Sequence, residues 1–483
     1  MNYKLLGRFL GLVLFIEAGL LFFPMLVALI YEEPTLPYLI TIAILLLVSV
    51  PTRFLKPKNK RFYAKDGFVC VALSWILLSF FGSLPFVFSG AIPNIIDAFF
   101  ETVSGFTTTG ASIIPTGGIE ALPKGILFWR SFTHWVGGMG VLVFMLAIMP
   151  NTDGNVIFLM RAEVPGPQTG KLVPKLKDSS LILYVIYLAL TFVQVIALLC
   201  TGMPLYDSLV NSFGTMGTGG FSVLNDSIAG YNNPAAEIII AIFLIIAGIN
   251  YNIFFYILIK KFRDIGKNEE FRLYLSIILA STILVSINIF NAANLLYDSY
   301  GHALRDALFQ VASIMSTAGF TTASFDLWPY FSQSVLIILM FIGASAGSTA
   351  GGLKVSRLII LFKSMKREVR KIFKPNSIKT LRLDGDTLSE DTVKSTFSYF
   401  CFYVSIIAVS FMVLSVDGKD FVTTFTAVVA CFNNIGPAFG EAFLTYADFS
   451  GLSKMFLSFV MLFGRLEIMP MLVLFSPTTW KKN

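Results

Sequence analysis

Ten apolar runs, each close to the length needed to cross a lipid bilayer, fill this chain and leave little sequence over for anything else. They begin near Phe9, Tyr38, Phe68, Ile126, Leu181, Ala235, Phe271, Ser334, Ser395 and Leu452. A hydrocarbon core about 30 Å thick takes about 20 mostly apolar helical residues to cross. In lipid only helices or closed barrels satisfy every backbone group, so the expected fold class is an all-α polytopic membrane protein. The first run follows Lys4 and Arg8 in the manner of a secretory signal, yet its apolar stretch continues to Ile30 without a small-residue cleavage site and counts as a span. Charged residues make up 13% of the chain, against about 25% in a soluble domain.

Charge then orients the spans. Numbered from an inside N-terminus, the inside segments are the N-terminus, 53–66, 150–180, 260–272, 354–394 and the Lys481-Lys482 tail, holding 30 basic and 12 acidic residues. The outside segments hold four basic residues, Lys124, Arg305, Lys419 and Lys454, against 14 acids. This asymmetry is the positive-inside pattern, and it would be scrambled by one missed or invented span. The net charge of +7 therefore belongs to membrane topology and not to nucleic acid. Five charges remain at membrane depth: Glu17, Glu101, Arg130, Arg465 and Glu467.

Four half-length apolar segments, too short to cross, sit between spans. Residues 97–110 read DAFFETVSGFTTTG, 207–220 read DSLVNSFGTMGTGG and 306–319 read DALFQVASIMSTAG, aligning without a gap from Asp to Gly. The fourth, TFTAVVACFNNIG, ends at Gly436 and has Thr423 in the Asp position. A unit of span, half-segment and span recurring about every 100 residues is an internal repeat, and parallel repeats around an axis along the membrane normal enclose a central pathway. The expected architecture is two N-terminal spans (1–66) followed by four pseudo-symmetric repeats (67–180, 181–269, 270–394 and 395–483) around a cation pore.

In each half-segment, Asp97, Asp207 and Asp306 are expected to cap a short helix that enters from outside. Its C-terminus carries roughly half a negative charge, so four such ends facing one axis favour a cation. The chain must then return as non-helical backbone, tolerated only where it lines water or is buried. Extended backbone with small side chains can turn carbonyl oxygens on an ion, and Gly permits the geometry. The candidate ion-lining residues are Thr108, Thr109 and Gly110; Thr218, Gly219 and Gly220; Thr317, Ala318 and Gly319; and Asn434, Ile435 and Gly436.

The span after the third half-segment contains Gly343-Ala-Ser-Ala-Gly347-Ser348-Thr349-Ala-Gly351-Gly352, ten residues with nothing larger than Thr. Each interior Gly costs a helix about 1 kcal/mol, so a break is expected over 343–352. Arg465 lies well inside the last span, where arginine costs at least ~2.5 kcal/mol unless it meets water, carbonyls or an acid. Glu467 points to another helix face, leaving Glu17 or Glu101 as acids able to reach it. Arg130 lies near enough to the outer end of its span to snorkel, and a packing role is expected of it. Glu101, aligned with Asn211 and Gln310, is expected to support filter backbone.

Enzyme readings find little support. Four scattered cysteines without a C-x-x-C pair and two histidines, His134 and His302, suggest neither a zinc site nor a disulfide framework. Gly343-Ala-Ser345-Ala-Gly347 matches a G-x-S-x-G nucleophile elbow but lacks a His partner and the strand-turn-helix setting, and Leu353 occupies the Lys position of a would-be phosphate loop.

The residues just assembled resemble those of the Trk/Ktr/HKT superfamily of potassium transporters over nearly the whole chain. GFTTTGAS, GTMGTGGFS, STAGFTT and FNNIGPAFG are similar to its four filter segments, and SFTHWVGGMGV, AGSTAGGLKVSR and GRLEIMP to its second-helix segments. The two extra N-terminal spans point to the Trk branch. The resemblance implies potassium as the transported ion, since Gly and not Ser stands at 110, 220, 319 and 436. It further implies a channel-like mechanism, with 343–352 as an intramembrane gating loop beneath the filter and Arg465 touching it. A homodimer in the plasma membrane and a cytoplasmic nucleotide-binding regulatory ring docking on the basic 354–394 segment also follow from it, and this chain itself has no nucleotide site. Proton- or sodium-coupled potassium symport is the alternative.

Overall fold

The computed structural model describes residues 1–55, 63–140, 176–292, 297–375 and 380–481. Most of the inside segment expected at 150–180, part of the one at 53–66, the end of the repeat 1 second helix beyond 140, and Lys482 lie outside the described residues.

The chain is all-helical apart from a two-residue hairpin pairing Arg382–Leu383 with Asp386–Thr387 among the described residues. The first span begins where Asn2 accepts the amide of Leu5. It runs as Tyr3–Leu20 and Phe22–Ile30, broken because Pro24 has no N–H to give to the preceding turn. Leu36–Thr52 packs back along it.

Four units of helix, half-helix and helix follow. The first helices are Ala64–Gly82, Leu176–Cys200, Glu269–Phe290 and Glu390–Leu414, and the half-helices are Ile95–Phe106, Leu205–Gly217, Tyr300–Met315 and Phe421–Phe432. The second helices are Lys124–Gly138, Pro234–Ala247, Tyr330–Ile342 and Gly451–Arg465. Five described helical stretches are long and apolar enough to cross a membrane by themselves, Tyr3–Ile30 and four in the repeats. The second helices are shorter because each stops soon after passing its half-helix. In repeat 2 the chain continues as Tyr251–Leu258, bent by 92°. In repeats 3 and 4 it resumes as Val355–Phe373 and Met469–Phe475.

Each half-helix packs against its own second helix. The repeat 2, 3 and 4 half-helices also pack against the second helix of the preceding repeat, and the repeat 1 half-helix packs on that of repeat 4. The four units thereby close into a ring. The aligned aspartates are not its caps, contrary to expectation. Asn94 and Ser299 cap the first and third half-helices and Pro204 precedes the second without a side-chain cap, whereas Asp420 caps the fourth, the copy lacking the aligned Asp. The helices start earlier than the alignment suggests, so Asp97 and Asp207 lie in the first turn, where a carboxylate still favours the positive helix end. Asp97 meets Lys454 at 2.9 Å, and Asp306 is a further turn along, beside His302 at 3.4 Å.

Candidate functional site

All four half-helices end in one backbone motif. The amides of Thr109, Gly219, Ala318 and Ile435 donate five residues back, to Ser104, Gly214, Ser313 and Ala430, at 2.8–2.9 Å. The amides of Thr108, Thr218, Thr317 and Asn434 donate three residues back at 3.1–3.3 Å. This is the Schellman ending, which normally puts Gly at its left-handed position. Here that position holds Thr108, Thr218, Thr317 and Asn434, with φ between +56° and +58°. A left-handed β-branched residue is an outlier and costs about 1–3 kcal/mol, repeated in three of the four copies.

Two residues on, the four glycines meet. A Cβ on Gly110 would stand 2.6 Å from the amide nitrogen of Gly220, and one on Gly220 would stand 2.6 Å from the carbonyl oxygen of Ala318. On Gly319 it would stand 2.0 Å from Ile435 O, and on Gly436 2.5 Å from Thr109 O. Each glycine thus abuts the return segment of the next repeat in the order 1, 2, 3, 4, 1. Gly110, Gly319 and Gly436 also adopt φ of +79°, +80° and +93°, while Gly220 is required by space alone.

Buried side chains hold this ring from behind. Glu101 accepts from Ser112 Oγ at 3.0 Å and the Ile113 amide at 2.9 Å. The Gln310 amide oxygen, in the orientation its donors require, accepts from Thr322 N at 2.8 Å, and Thr426 Oγ1 accepts from Phe439 N at 3.0 Å. The backbone amide three residues past the ring glycine is therefore held from the half-helix in repeats 1, 3 and 4. In repeat 2, Asn211 turns to Tyr231 instead, at 3.0 Å. Arg130 does not snorkel: it is 2% exposed, pairs with Glu101 at 2.6 Å, donates to Ser222 O and lies 3.5 Å over the Phe221 ring. It ties the return segment of repeat 1 to that of repeat 2, and desolvation makes that pair costly to break. His134 is a second strut, one without a signal in the order of the letters. Its ring bonds Gly105 O through Nδ1 at 2.7 Å and accepts the Phe221 amide at 3.3 Å. Across the last seam, Asn434 Nδ2 donates to Thr109 Oγ1 at 2.9 Å.

Below the ring lies the interruption of repeat 3, which runs from Gly343 to Lys354, two residues beyond the expected end. Its neck is Gly343 against Gly352, each at positive φ, where a Cβ on Gly343 would stand 2.9 Å from Gly352 Cα. The amides of Leu353, Lys354 and Val355 close it by donating to Phe341, Ile342 and Ala344. Glu270 Oε1 accepts from Ala346 N at 2.7 Å and Ser356 N at 3.0 Å. Ser348 Oγ bonds Ser345 O inside the loop. Gly351 N donates to Thr317 Oγ1 at 2.7 Å, and a Cβ on Gly351 would stand 2.2 Å from Asn433 O. The loop is thus held directly against the half-helix ends of repeats 3 and 4.

Arg465 completes the clasp. It donates to Thr349 O in the loop at 2.5 Å, to Gly137 O and Gly138 O at 2.6 and 2.8 Å, and to Thr108 Oγ1 at 3.4 Å. Of the two acids expected to reach it, Glu101 pairs with Arg130 and Glu17 has neither carboxylate oxygen hydrogen-bonded among the described residues, while Glu467, expected on another face, pairs with Arg357. Glu467 and Ile468, both left-handed, end the last second helix and turn that carboxylate away. Lys354 and Arg357, counted in the solvent-exposed basic segment, are buried at 1% and 8% exposure. Lys354 bonds Ala350 O and Arg357 lies 3.8 Å over Tyr399, because the loop returns the chain into the protein before it leaves.

No group of three or more His, Cys, Asp or Glu side chains gathers among the described residues. The Ser345 hydroxyl is buried without a hydrogen-bond partner among the described residues, and His134 bonds Gly105 O instead. Residues 37–482 match the TrkH family, whose members are described as cation transport proteins. The chain belongs to the TrkH family. The Trk system potassium uptake protein TrkH of Salmonella typhimurium is 37% identical over all of both chains, and TrkG of Escherichia coli K12 is 31% identical over 95% of this chain and 94% of its own. The crystal structure of the potassium transporter TrkH from Vibrio parahaemolyticus superimposes with a TM-score of 0.89 at 33% identity, covering all of both chains. This TrkH-family chain is accordingly an all-helical membrane protein of cation transport.

Proposed function

We propose that this chain carries potassium into the cell by a channel-like route, with K+ as its substrate. The ion would shed water against backbone oxygens of 108–110, 218–220, 317–319 and 434–436, then pass a gate formed by 343–354 and Arg465. One observation carries the reading: each filter glycine abuts the backbone of the next copy, closing a four-part ring with no acidic side chain in it. Four helix C-termini aimed at that ring favour a cation, and backbone oxygens are suited to replace its hydration shell. Relatives named potassium uptake proteins along their full length support the choice of ion. The charge asymmetry supports a plasma-membrane protein with both termini cytoplasmic. A homodimer, and a cytoplasmic nucleotide-binding ring on the 354–394 side, complete the proposal.

Proton- or sodium-coupled symport remains the second reading because Glu17, fully buried in the first span, has neither carboxylate oxygen partnered. Flux in liposomes with and without a pH gradient separates the two, since a gradient that drives uptake against the K+ potential requires coupling. The filter itself is tested by Gly110→Ser. The expected result is a K+ over Na+ permeability ratio reduced on the order of tenfold, as a hydroxymethyl group enters a 2.6 Å gap, and unchanged selectivity would sink the reading.

A further inference from the structure

The helix leaving the repeat 3 interruption, Val355–Phe373, has two faces that ion passage does not use. On one, Lys363, Lys366, Arg367, Arg370 and Lys371 join Thr380, Leu381 and Arg382 of the hairpin around a cavity of about 280 Å³ whose lining contains no acid. Three of these cations are already committed. Lys363 pairs with Glu269 and donates to Arg382 O, Arg367 meets Glu390 at 2.5 Å, and Lys371 meets Glu368 at 2.9 Å. Lys366, Arg370 and Arg382 are exposed, and their side chains have no acidic partner among the described residues. Three uncompensated cations facing one small cavity suit a phosphate oxyanion, and the guanidinium fork can engage two of its oxygens at once.

The other face is apolar and exposed. Phe362, Met365, Val369, Ile372 and Phe373 recur at helical spacing, the last two 77% and 79% exposed. A helix with a basic face and such a stripe lies in the membrane interface. A soluble phosphate would satisfy the cations but leave the stripe in water.

We propose that this cavity binds the phosphate headgroup of an anionic phospholipid, with the apolar stripe seated in the acyl region of the same leaflet. The lipid bridges the helix that follows the gating loop and the hairpin that precedes the last repeat. Its binding does not depend on which ion the protein carries.

The test uses the full chain in detergent, with retained lipid counted by native mass spectrometry. Phosphatidylglycerol is compared with phosphatidylcholine of identical acyl chains, and inorganic pyrophosphate is titrated separately while following thermal melting. Phosphatidylglycerol should be retained roughly tenfold over phosphatidylcholine, and Lys366→Gln with Arg370→Gln should erase that preference, since each basic group near a surface contributes on the order of tenfold or less to anionic-lipid affinity. Both side chains are exposed, so the double variant should melt as wild type and carry ions normally in phosphatidylcholine liposomes. The exposed pair Lys260→Gln with Lys261→Gln serves as control and should keep the preference. The proposal is overturned if the pocket variant retains phosphatidylglycerol as before, or if the control loses it equally. It is likewise overturned if pyrophosphate alone shifts melting in a Lys366- and Arg370-dependent way without any lipid preference, which would make this a site for a soluble phosphate.

Discussion

The second helices of repeats 2 and 3 are interrupted at matching places, and the two breaks do opposite things. In repeat 2 the break covers only Gly248, Ile249 and Asn250 and turns the helix by 92°. In repeat 3 it extends from Gly343 to Lys354 and forms a loop under the filters. Any helix end leaves backbone donors and acceptors without partners, and here the two ends satisfy each other. Gly248 O accepts from Ser345 N at 3.1 Å, Tyr251 N donates to Gly347 O at 3.2 Å, and Ala247 O accepts from Thr349 Oγ1 at 3.4 Å. The short break is the dock and the long one the docked element. Equivalent positions in a repeat protein can diverge into two halves of one mechanism when each supplies what the other lacks.

The strongest way to break this pairing is Arg465→Ala. It removes the contacts that pin Thr349 and a positive charge from beneath the ring, so K+ flux into liposomes should rise on the order of tenfold, since bonds to charged groups contribute about 1.5–3 kcal/mol each. An unchanged or lower flux in a folded variant would contradict the gating role. Next comes Glu270→Ala, which strips the acceptor from two buried amides at about 1–3 kcal/mol apiece. Amide exchange should quicken at Ala346 and Ser356 while Asn252, whose amide is held by Asn250 Oδ1 at 3.0 Å, stays slow. Equal exchange at both would show that loop and dock open as one body. The smallest effect sharpens the comparison from the dock side. Gly248→Ala puts a methyl 2.2 Å from the Tyr274 hydroxyl, lowering stability by about 1–3 kcal/mol as overpacking does. Adding Tyr274→Phe should recover most of the loss in a double-mutant cycle. Additive costs would place the strain in the backbone instead.

The repeated half-segments and their glycines were legible because they are local and periodic, and Gly343–Gly352 announced its break by composition. The break at Gly248 was not legible, since one Gly in an apolar helix is ordinary, and the struts were misread or missed for a related reason. Arg130, His134 and Arg357 are read from sequence by their neighbours along the chain, yet their partners Glu101, Phe221 and Glu467 are set by chain packing. The aligned aspartates erred in the other direction. A shared letter in a shared register suggested a shared cap, but where a helix starts depends on the whole entering loop, and Asn94, Ser299 and Asp420 do that work.

Hydrophobic length, the charge asymmetry between alternate loops and the fourfold register are properties of the letters in order, so the sequence by itself determined that this chain is a polytopic helical protein with four related half-segments. The closing of those segments into one ring was decided only in three dimensions, by α-carbons that approach the next copy's backbone too closely for any side chain. So was the seating of the loop on the repeat 2 break and on Arg465. Such contacts join residues about 100 or more positions apart, and their energy exists only once the intervening helices have packed.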